Sequence, residues 1–284
     1  MSLSLQGSVA SPTASANLRD SSAAIGVFDS GLGGLSVVRA IRAQLPAEDV
    51  VYFADTAHCP YGARDAEFIV DRSLAVTRSM IDRGIKLLVV ACNTASAVAL
   101  DAIRAIAPFE VVGLEPAVKP AVELTRTGRI AVFATPRTIE SQRFSRLVER
   151  HAQSVEVERV AVTGWVELVE SGDARQQGTI DLLRPVVVPP RERGADVFVL
   201  GCTHYPFLVP ALREIVGSDV TFVESGSAIS RRTRQLLTRD HLQYPDENNE
   251  GRFTMLTSSS DIGRVQRTAT MLLRERATVV ATHV

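Results

Sequence analysis

The sequences LLVVAC at residues 87–92 and VFVLGC at residues 197–202 share one pattern, an apolar run of four residues that ends two residues before a cysteine. The two cysteines are 202 − 92 = 110 residues apart. Upstream, IGVFDS at 25–30 matches IAVFAT at 130–135 with an offset of 130 − 25 = 105. Repetition in the same order indicates an old duplication, with chance similarity of apolar strands as the alternative. A duplication makes the two cysteines equivalent positions.

The remaining apolar runs of strand length, at residues 50–53, 111–113 and 220–223, alternate with helical patterns. Continuous apolar strands that alternate with helices indicate parallel sheets covered on both faces. We therefore predict an α/β fold with two pseudo-symmetric lobes, each a mainly parallel sheet flanked by helices, and an active site in the cleft between them. The predicted parts are a disordered leader (1–24), a first lobe (25–115 plus 225–278), a second lobe (116–224) and a tail (279–284).

Length, composition and charge limit the classes of protein to which the chain can belong. The chain has 284 residues, 45% of them hydrophobic and 22% charged, as in ordinary globular enzymes. A net charge of −1 gives no reason to expect direct binding to nucleic acid or to an anionic membrane. No apolar run approaches the roughly 18 residues of a membrane span, and residues 1–24 lack the features of a signal peptide. Three cysteines are too few for a disulfide framework, so we expect a cytoplasmic protein with free thiols.

The two repeated cysteines are the candidates for chemistry. Each is predicted to follow a buried strand at the start of a helix, where the helix dipole lowers the pKa of a thiol. A lone buried cysteine is more often a small apolar filler, but two at equivalent strand ends favour a chemical role. The residues that follow them can hydrogen-bond to a thiol or a substrate: Asn93, Thr94, Thr203 and His204.

Two thiols that face each other suit racemisation at a carbon atom. The reaction removes a proton from one face of the carbon and returns one to the other, which two separate groups do without movement of the intermediate. The carbanion spreads its charge into the neighbouring carboxylate, which needs hydrogen-bond donors. The loop DSGLGG at 29–34 opens a helix and is a candidate carboxylate site, although Ser36 breaks any dinucleotide fingerprint. Asp29, which ends an apolar strand, needs a partner or a catalytic role.

We expect no cofactor and no metal. A pyridoxal-phosphate enzyme needs a Schiff-base lysine, and neither Lys86 nor Lys119 has a suitable place in the pattern. The five residues that could be imagined as metal ligands match no zinc spacing: His58, Cys59, Cys92, Cys202 and His204.

The chain resembles the glutamate racemases of bacterial cell-wall synthesis over nearly all of residues 25–275. The motifs that carry the resemblance are DSGLGG at 29–34, AD at 54–55 with PYG at 60–62, ACNTAS at 91–96 and GCTHYP at 201–206. The resemblance implies cofactor-independent interconversion of L- and D-glutamate, with D-glutamate used for peptidoglycan. It implies that Cys92 and Cys202 donate and accept the proton, assisted by Asp29, His204 and Glu170. It also implies a set of substrate-binding residues: Asp29, Ser30, Tyr61, Gly62, Asn93, Thr94, Thr135, Thr138, Thr203 and His204.

The sequence departs from the pattern of that family at several positions. Arg137 stands where the family usually has glycine, Phe144 replaces a common tyrosine, and Glu224 replaces an aspartate. Residues 162–164 replace the usual Cys-Pro before the Glu170 region. These departures spare both cysteine motifs, so they bear on rate, regulation and substrate choice rather than on reaction type.

Three other functions share some of these features. An aspartate or hydantoin racemase would have both cysteines, but the motifs at 60–62 and 204–206 favour glutamate. A cysteine hydrolase could use Cys202 with His204, which leaves Cys92 unexplained. The third alternative is a non-catalytic binding protein, such as a gyrase-binding relative. The sequence is also compatible with a homodimer.

We expect glutamate racemisation by the purified protein without added pyridoxal phosphate and after treatment with a metal chelator, because the sequence offers neither a Schiff-base lysine nor a zinc motif. Circular dichroism of the amino acid measures the rate. Activity that is lost to the chelator and restored by a metal would contradict this prediction.

Overall fold

The computed structural model describes residues 20–174 and 177–284. Within these residues the strands are β1 (Ile25–Asp29), β2 (Val50–Ala54), β3 (Leu87–Val90), β4 (Val111–Gly113), β5 (Arg129–Ala134), β6 (Glu156–Ala161), β7 (Val197–Leu200), β8 (Thr221–Val223), β9 (Phe253–Thr257) and β10 (Val279–Ala281). They form two separate sheets, with orders β10-β9-β2-β1-β3-β4 and β6-β5-β7-β8, and all pairs are parallel. Helices flank both sheets, so the predicted α/β class is confirmed.

The helices are α1 (Leu35–Gln44), α2 (Ala66–Asp82), α3 (Asn93–Val98), α4 (Leu100–Ile106), α5 (Val118–Leu124), α6 (Pro136–Glu140), α7 (Gln142–His151), α8 (Trp165–Glu170), α9 (Gln177–Glu192), α10 (Val209–Val216), α11 (Gly226–Arg239) and α12 (Ile262–Leu273). Short 3₁₀ turns lie at Tyr61–Ala63 and Tyr205–Leu208. No helix in the described ranges combines the length and the apolar character needed to cross a membrane.

The two sheets repeat one topology, as the sequence repeat predicts. The order β2-β1-β3-β4 in the first sheet matches β6-β5-β7-β8 in the second. Ile25 pairs with Leu87, and Ile130 pairs with Val197, which are the same positions shifted by 105 and 110 residues. The repeat therefore brings Cys92 and Cys202 to equivalent edges of the two sheets, beyond β3 and β7.

Three strands were not predicted from the sequence. β6 is an edge strand whose side chains alternate between exposed and partly buried, so it lacks a continuous apolar run. β9 and β10 extend the first sheet, and β10 lies in the segment 279–284 that we assigned to a tail. The predicted leader lies outside the described residues as far as residue 19. Its last part, 20–24, is ordered because Lys86 bonds to carbonyls at Ser21 and Ala24.

Aromatic packing joins the second sheet to the helix that carries Glu170. Trp165, at the start of α8, stacks on Phe133 of β5 with ring centroids 5.8 Å apart. The same indole packs edge-on against Tyr205, at 5.0 Å, in the turn that follows Cys202. All three rings are buried, so they fix α8 and the turn after β7 relative to the sheet.

Candidate active site

The carboxyl ends of β1 and β3 meet those of β5 and β7 at a small cavity with a volume of about 10 Å³. Both lobes contribute to its wall, and Cys92 and Cys202 both line it. The other lining residues are Asp29, Ser30, Pro60, Tyr61, Gly62, Asn93, Thr94, Thr135, Val166, Thr203 and His204. Of the residues predicted from sequence, Glu170 and Thr138 do not line the cavity but lie behind His204 and Thr135. Pro60 and Val166 are wall residues that we did not assign to the site.

Cys92 is buried on the first-lobe wall. It caps the N-terminus of α3, and its Sγ accepts a hydrogen bond from the Ala95 N–H at 3.4 Å and lies 3.6 Å from the Ser30 hydroxyl. Burial, followed by the charge of Asp29, raises the pKa of the Cys92 thiol well above its ordinary value, because the contacts with Ala95 and Ser30 oppose these effects only in part. The expectation of a lowered pKa at Cys92 was therefore wrong.

Asp29 is a fully buried carboxylate beside Cys92. It accepts hydrogen bonds from the N–H groups of Ser30, at 2.7 Å, and Gly34, and from the Thr203 hydroxyl of the second lobe at 3.0 Å. Burial raises the pKa of Asp29 to about 6, against the opposing charge of His204 and these hydrogen bonds. Asp29 therefore changes its protonation close to neutral pH, a property typical of acid–base groups in active sites.

The second-lobe wall carries the opposite charge. His204 is buried, its Nδ1 lies 3.7 Å from Cys202 Sγ, and its Nε2 lies 2.7 Å from Glu170 Oε1. Burial lowers the pKa of His204, but hydrogen bonds with Cys202, Cys59 and Glu170 outweigh it and raise the pKa well above the ordinary value. These contacts favour the protonated form of His204 beside Cys202, whereas Cys92 lies beside the carboxylate of Asp29. The Gly33 N–H also donates to His204 Nε2, at 3.1 Å. Cys202 is followed by a turn and a 3₁₀ segment, not by the α-helix start that we predicted.

The glycine-rich loop at 29–34 binds carboxylates of the protein itself. The Gly34 N–H donates to Asp29, and the Leu32 N–H donates to Glu170 Oε1 at 2.5 Å. Gly31 allows this approach, since a Cβ there would lie 2.2 Å from Glu170 Oε1. These donors are therefore used within the protein, where the loop joins the two lobes. That the loop also binds a substrate carboxylate stays a prediction.

Hydroxyl groups from both lobes form a connected set on another part of the wall. The Oγ1 atoms of Thr94 and Thr135 are 2.9 Å apart, and those of Thr135 and Thr138 are 3.1 Å apart. The Oδ1 atom of Asn93 is buried, and no hydrogen-bond partner for it lies among the described residues. These groups are polar, close together and free to reorient, so they are suited to bind the carboxylate of a small amino acid.

Tyr61 contributes its ring to the cavity, because its hydroxyl is already bound. That hydroxyl donates to Asp55 Oδ2 at 2.6 Å, and Arg72 bonds to both oxygens of Asp55 at 2.9 and 3.1 Å. Hydrogen bonds with Arg72 and Tyr61 outweigh burial and keep the pKa of Asp55 lowered, so it is an anion. The sequence analysis quoted Asp55 without a role. Its position after β2, at the same edge as Asp29, was the signal that could have found it.

The fold and this paired-thiol cavity define a racemase. Residues 25–233 match the family model described as Asp/Glu/Hydantoin racemase, and the chain belongs to that family.

The individual proteins to which the chain is similar carry a more specific name than the family model does. The chain is 45% identical over 234 residues to the glutamate racemase of Herpetosiphon aurantiacus, covering 82% of this chain and 92% of that protein. It is 50% identical over 218 residues to the glutamate racemase of Methylococcus capsulatus, covering 77% and 80%. Among solved structures, Escherichia coli glutamate racemase, in complex with L-glutamate and the activator UDP-MurNAc-ala, matches with a TM-score of 0.82 and 33% identity, covering 92% of this chain and 99% of that chain.

Asp29→Asn is expected to change the pH dependence of stability. The pKa of Asp29 is raised from 3.8 to about 6 in the folded protein, so this group contributes stability that is fully present below about pH 4 and is lost as the pH rises through about 6. Between about pH 4 and pH 7 the parent should therefore lose up to about 3 kcal/mol of unfolding free energy relative to the variant. Urea unfolding followed by the fluorescence of Trp165, the single tryptophan, measures this difference.

Asp196→Asn is the matched control. Its pKa is lowered by hydrogen bonds to residues 125–127, which outweigh burial, so Asp196 stays ionised over the same pH interval. The difference in unfolding free energy between Asp196→Asn and the parent should therefore stay constant there. A constant difference for Asp29→Asn as well would show that the carboxylate of Asp29 titrates normally.

Ligand binding is expected to increase protection from hydrogen exchange at the facing loops. The cavity has room for about one water molecule, so glutamate can enter only if the lobes separate and then close again. Exchange should therefore slow with D-glutamate at residues 29–34, 91–96 and 201–206, with D-lysine as the control ligand and β6 as the internal control. Unchanged exchange at all three segments would contradict closure around the substrate.

Proposed function

We propose that the protein is a glutamate racemase in which Cys92 and Cys202 exchange protons with opposite faces of the Cα atom. The observation that carries the proposal is that the two thiols line one buried cavity from equivalent edges of two repeated lobes. The Cα atom can lose its proton to one sulfur, and the planar carbanion that results can take up a proton from the other sulfur without turning over.

The groups beside the two thiols indicate which thiol carries a proton before the substrate binds. His204 Nδ1, 3.7 Å from Cys202 Sγ, is placed to hold the proton of that thiol, whereas the raised pKa of Cys92 keeps its thiol protonated. In this state Cys202 takes the Cα proton of L-glutamate and Cys92 donates a proton to the other face, which gives D-glutamate. The reverse reaction starts from the Cys92 thiolate and the Cys202 thiol.

Asp29 is placed to help convert the enzyme from the state with a Cys92 thiolate to the state with a Cys202 thiolate, and back. Its carboxyl group lies beside Cys92, accepts a hydrogen bond from Thr203, and has a pKa near 6, so it can hold a proton or release it at neutral pH. On the other wall, Glu170 orients His204 and balances its charge. We propose that these two groups reset the protons on the thiols between turnovers.

The surroundings of the cavity also suit a carbanion intermediate. The closed lobes exclude bulk water, which would otherwise protonate the carbanion without regard to face. The hydroxyls of Thr94 and Thr135, with the amide of Asn93, supply donors for the α-carboxylate that takes up the negative charge, and Thr138 supports Thr135 from behind.

Glutamate is the substrate that we favour over aspartate or a hydantoin. Eight similar curated proteins, at 41–50% identity, carry the name glutamate racemase. We propose that D-glutamate supplied by this reaction enters peptidoglycan, and that the enzyme works in the cytoplasm, where thiols remain reduced. A homodimer is compatible with this mechanism, which uses residues of a single chain.

Cys92→Ala and Cys202→Ala are each expected to abolish racemisation in both directions, because the reversible pathway uses both sulfurs. The loss should exceed the roughly 10²–10⁴-fold effect of an ordinary acid–base group, since no substitute donor reaches that face. The rates are measured by circular dichroism from each glutamate enantiomer, with aspartate as the competing substrate and Cys59→Ala as the thiol comparison. A substantial rate in either active-site variant contradicts the two-thiol mechanism, and a faster reaction with aspartate contradicts the substrate.

A further inference from the structure

Cys59, a residue without a role in the proposed reaction, lies beside the pair formed by His204 and Glu170. The sulfur of Cys59, a nitrogen of His204 and a carboxylate oxygen of Glu170 all lie within 4.8 Å of one another. His204 Nε2 and Glu170 Oε1 are the closest of these atoms, at 2.7 Å. Among the described residues, this is the set of three groups with the spacing of metal ligands. We refer to it as the Cys59 cluster.

The spacing of the Cys59 cluster requires little change to hold zinc. With bonds of about 2.0–2.3 Å to sulfur, nitrogen and oxygen, a tetrahedral zinc ion places its ligand atoms roughly 3.3–3.8 Å apart. The cluster brackets that range, since its closest pair is at 2.7 Å and all pairs are within 4.8 Å. The spread of the three donor atoms therefore includes the spacing that zinc requires.

The kinds of donor favour zinc over magnesium or calcium. A thiolate and an imidazole bind borderline and soft cations, whereas magnesium and calcium prefer oxygen ligands alone. Three protein ligands also leave a fourth position for water, as in zinc sites that are open. Cys59 is only partly buried, so an ion can reach it from outside.

The protein around the cluster is already arranged to hold two of its members. Glu170 ends α8, and its Oε1 accepts a hydrogen bond from the Leu32 N–H at 2.5 Å. Gly31 leaves the space that Cys59 and Glu170 share, because a Cβ at Gly31 would lie 2.7 Å from Cys59 Sγ and 2.2 Å from Glu170 Oε1. The neighbouring His58 is bound elsewhere, to Asp55 at 2.9 Å. The three ligands come from both lobes.

We propose that the Cys59 cluster is an inhibitory zinc site. Zinc on Nε2 occupies the atom through which His204 contacts Glu170, and the proton of the Cys59 thiol leaves to solvent when its sulfur binds the ion. His204 can then no longer pass a proton between Cys202 and Glu170. Because Cys59 belongs to the first lobe and the other two ligands to the second, the ion also pins the lobes together and prevents exchange of substrate. The binding of zinc stands on the geometry alone, and the inhibition rests on the proposed racemase activity.

Binding is tested first with Co²⁺, which occupies zinc sites and gives a charge-transfer absorption when a thiolate is a ligand. The parent and Cys92→Ser, which keeps the cluster intact, should both show this absorption. Cys59→Ser should lose it, and Glu170→Gln, which keeps the thiolate, should show it only at Co²⁺ concentrations raised by about 100-fold. An absorption that is missing from the parent, or that survives in Cys59→Ser, overturns the site.

Inhibition is then measured with the parent enzyme, whose rate without metal establishes the racemase activity independently. Stoichiometric Zn²⁺ should abolish glutamate racemisation, and a chelator should restore it. A parent that is active, binds Co²⁺ through Cys59 and stays active with Zn²⁺ bound would contradict the inhibitory role. A parent that is inactive without metal would contradict the proposed function and leave the spectroscopic test of binding valid.

Discussion

A single buried carboxylate, that of Asp29, constrains the arrangement of both lobes. A carboxylate without water is costly unless donors surround it. At Asp29 those donors are the N–H groups of Ser30 and Gly34 in its own loop and the hydroxyl of Thr203 in the other lobe. The glycine-rich turn and the contact between the lobes therefore both supply hydrogen-bond donors to this one carboxylate. The same burial leaves Asp29 with a pKa of about 6, so the interaction that joins the lobes also provides a group that titrates near neutrality.

A symmetric scaffold carries an asymmetric distribution of charge. The repeated topology places Cys92 and Cys202 at equivalent sheet edges, which suits a substrate and a product that are mirror images. Their neighbours differ, since Cys92 has Asp29 beside it, whereas Cys202 has His204 paired with Glu170. In the proposed mechanism only one of the two thiols is ionised at a time, and the different neighbours of the two sulfurs suit that requirement. The duplication thus supplies the geometry, and the divergence of the neighbours supplies the protonation states.

The sequence predicted the features that depend on local patterns. The apolar runs of β1, β3, β5 and β7 located the central strands and, through the repeat, the equivalence of the two cysteines. β6 escaped prediction because an edge strand has no continuous apolar run. The raised pKa of Cys92 could not be predicted either, since it depends on burial between the lobes and on the nearby Asp29. Likewise, only the folded chain shows that Glu170 takes up a loop N–H that otherwise seemed available to a ligand.

The transfer of deuterium from solvent tests the two-thiol account most directly. In D₂O, the group that returns a proton to Cα has already exchanged with solvent, whereas the group that removes one has just received protium from the substrate. Mass spectrometry of both enantiomers early in the reaction should therefore find deuterium at Cα in the product, while the recovered substrate keeps its protium, in both directions. Early deuterium in the recovered substrate, or protium carried into the product, would show that one group serves both faces and would contradict the account.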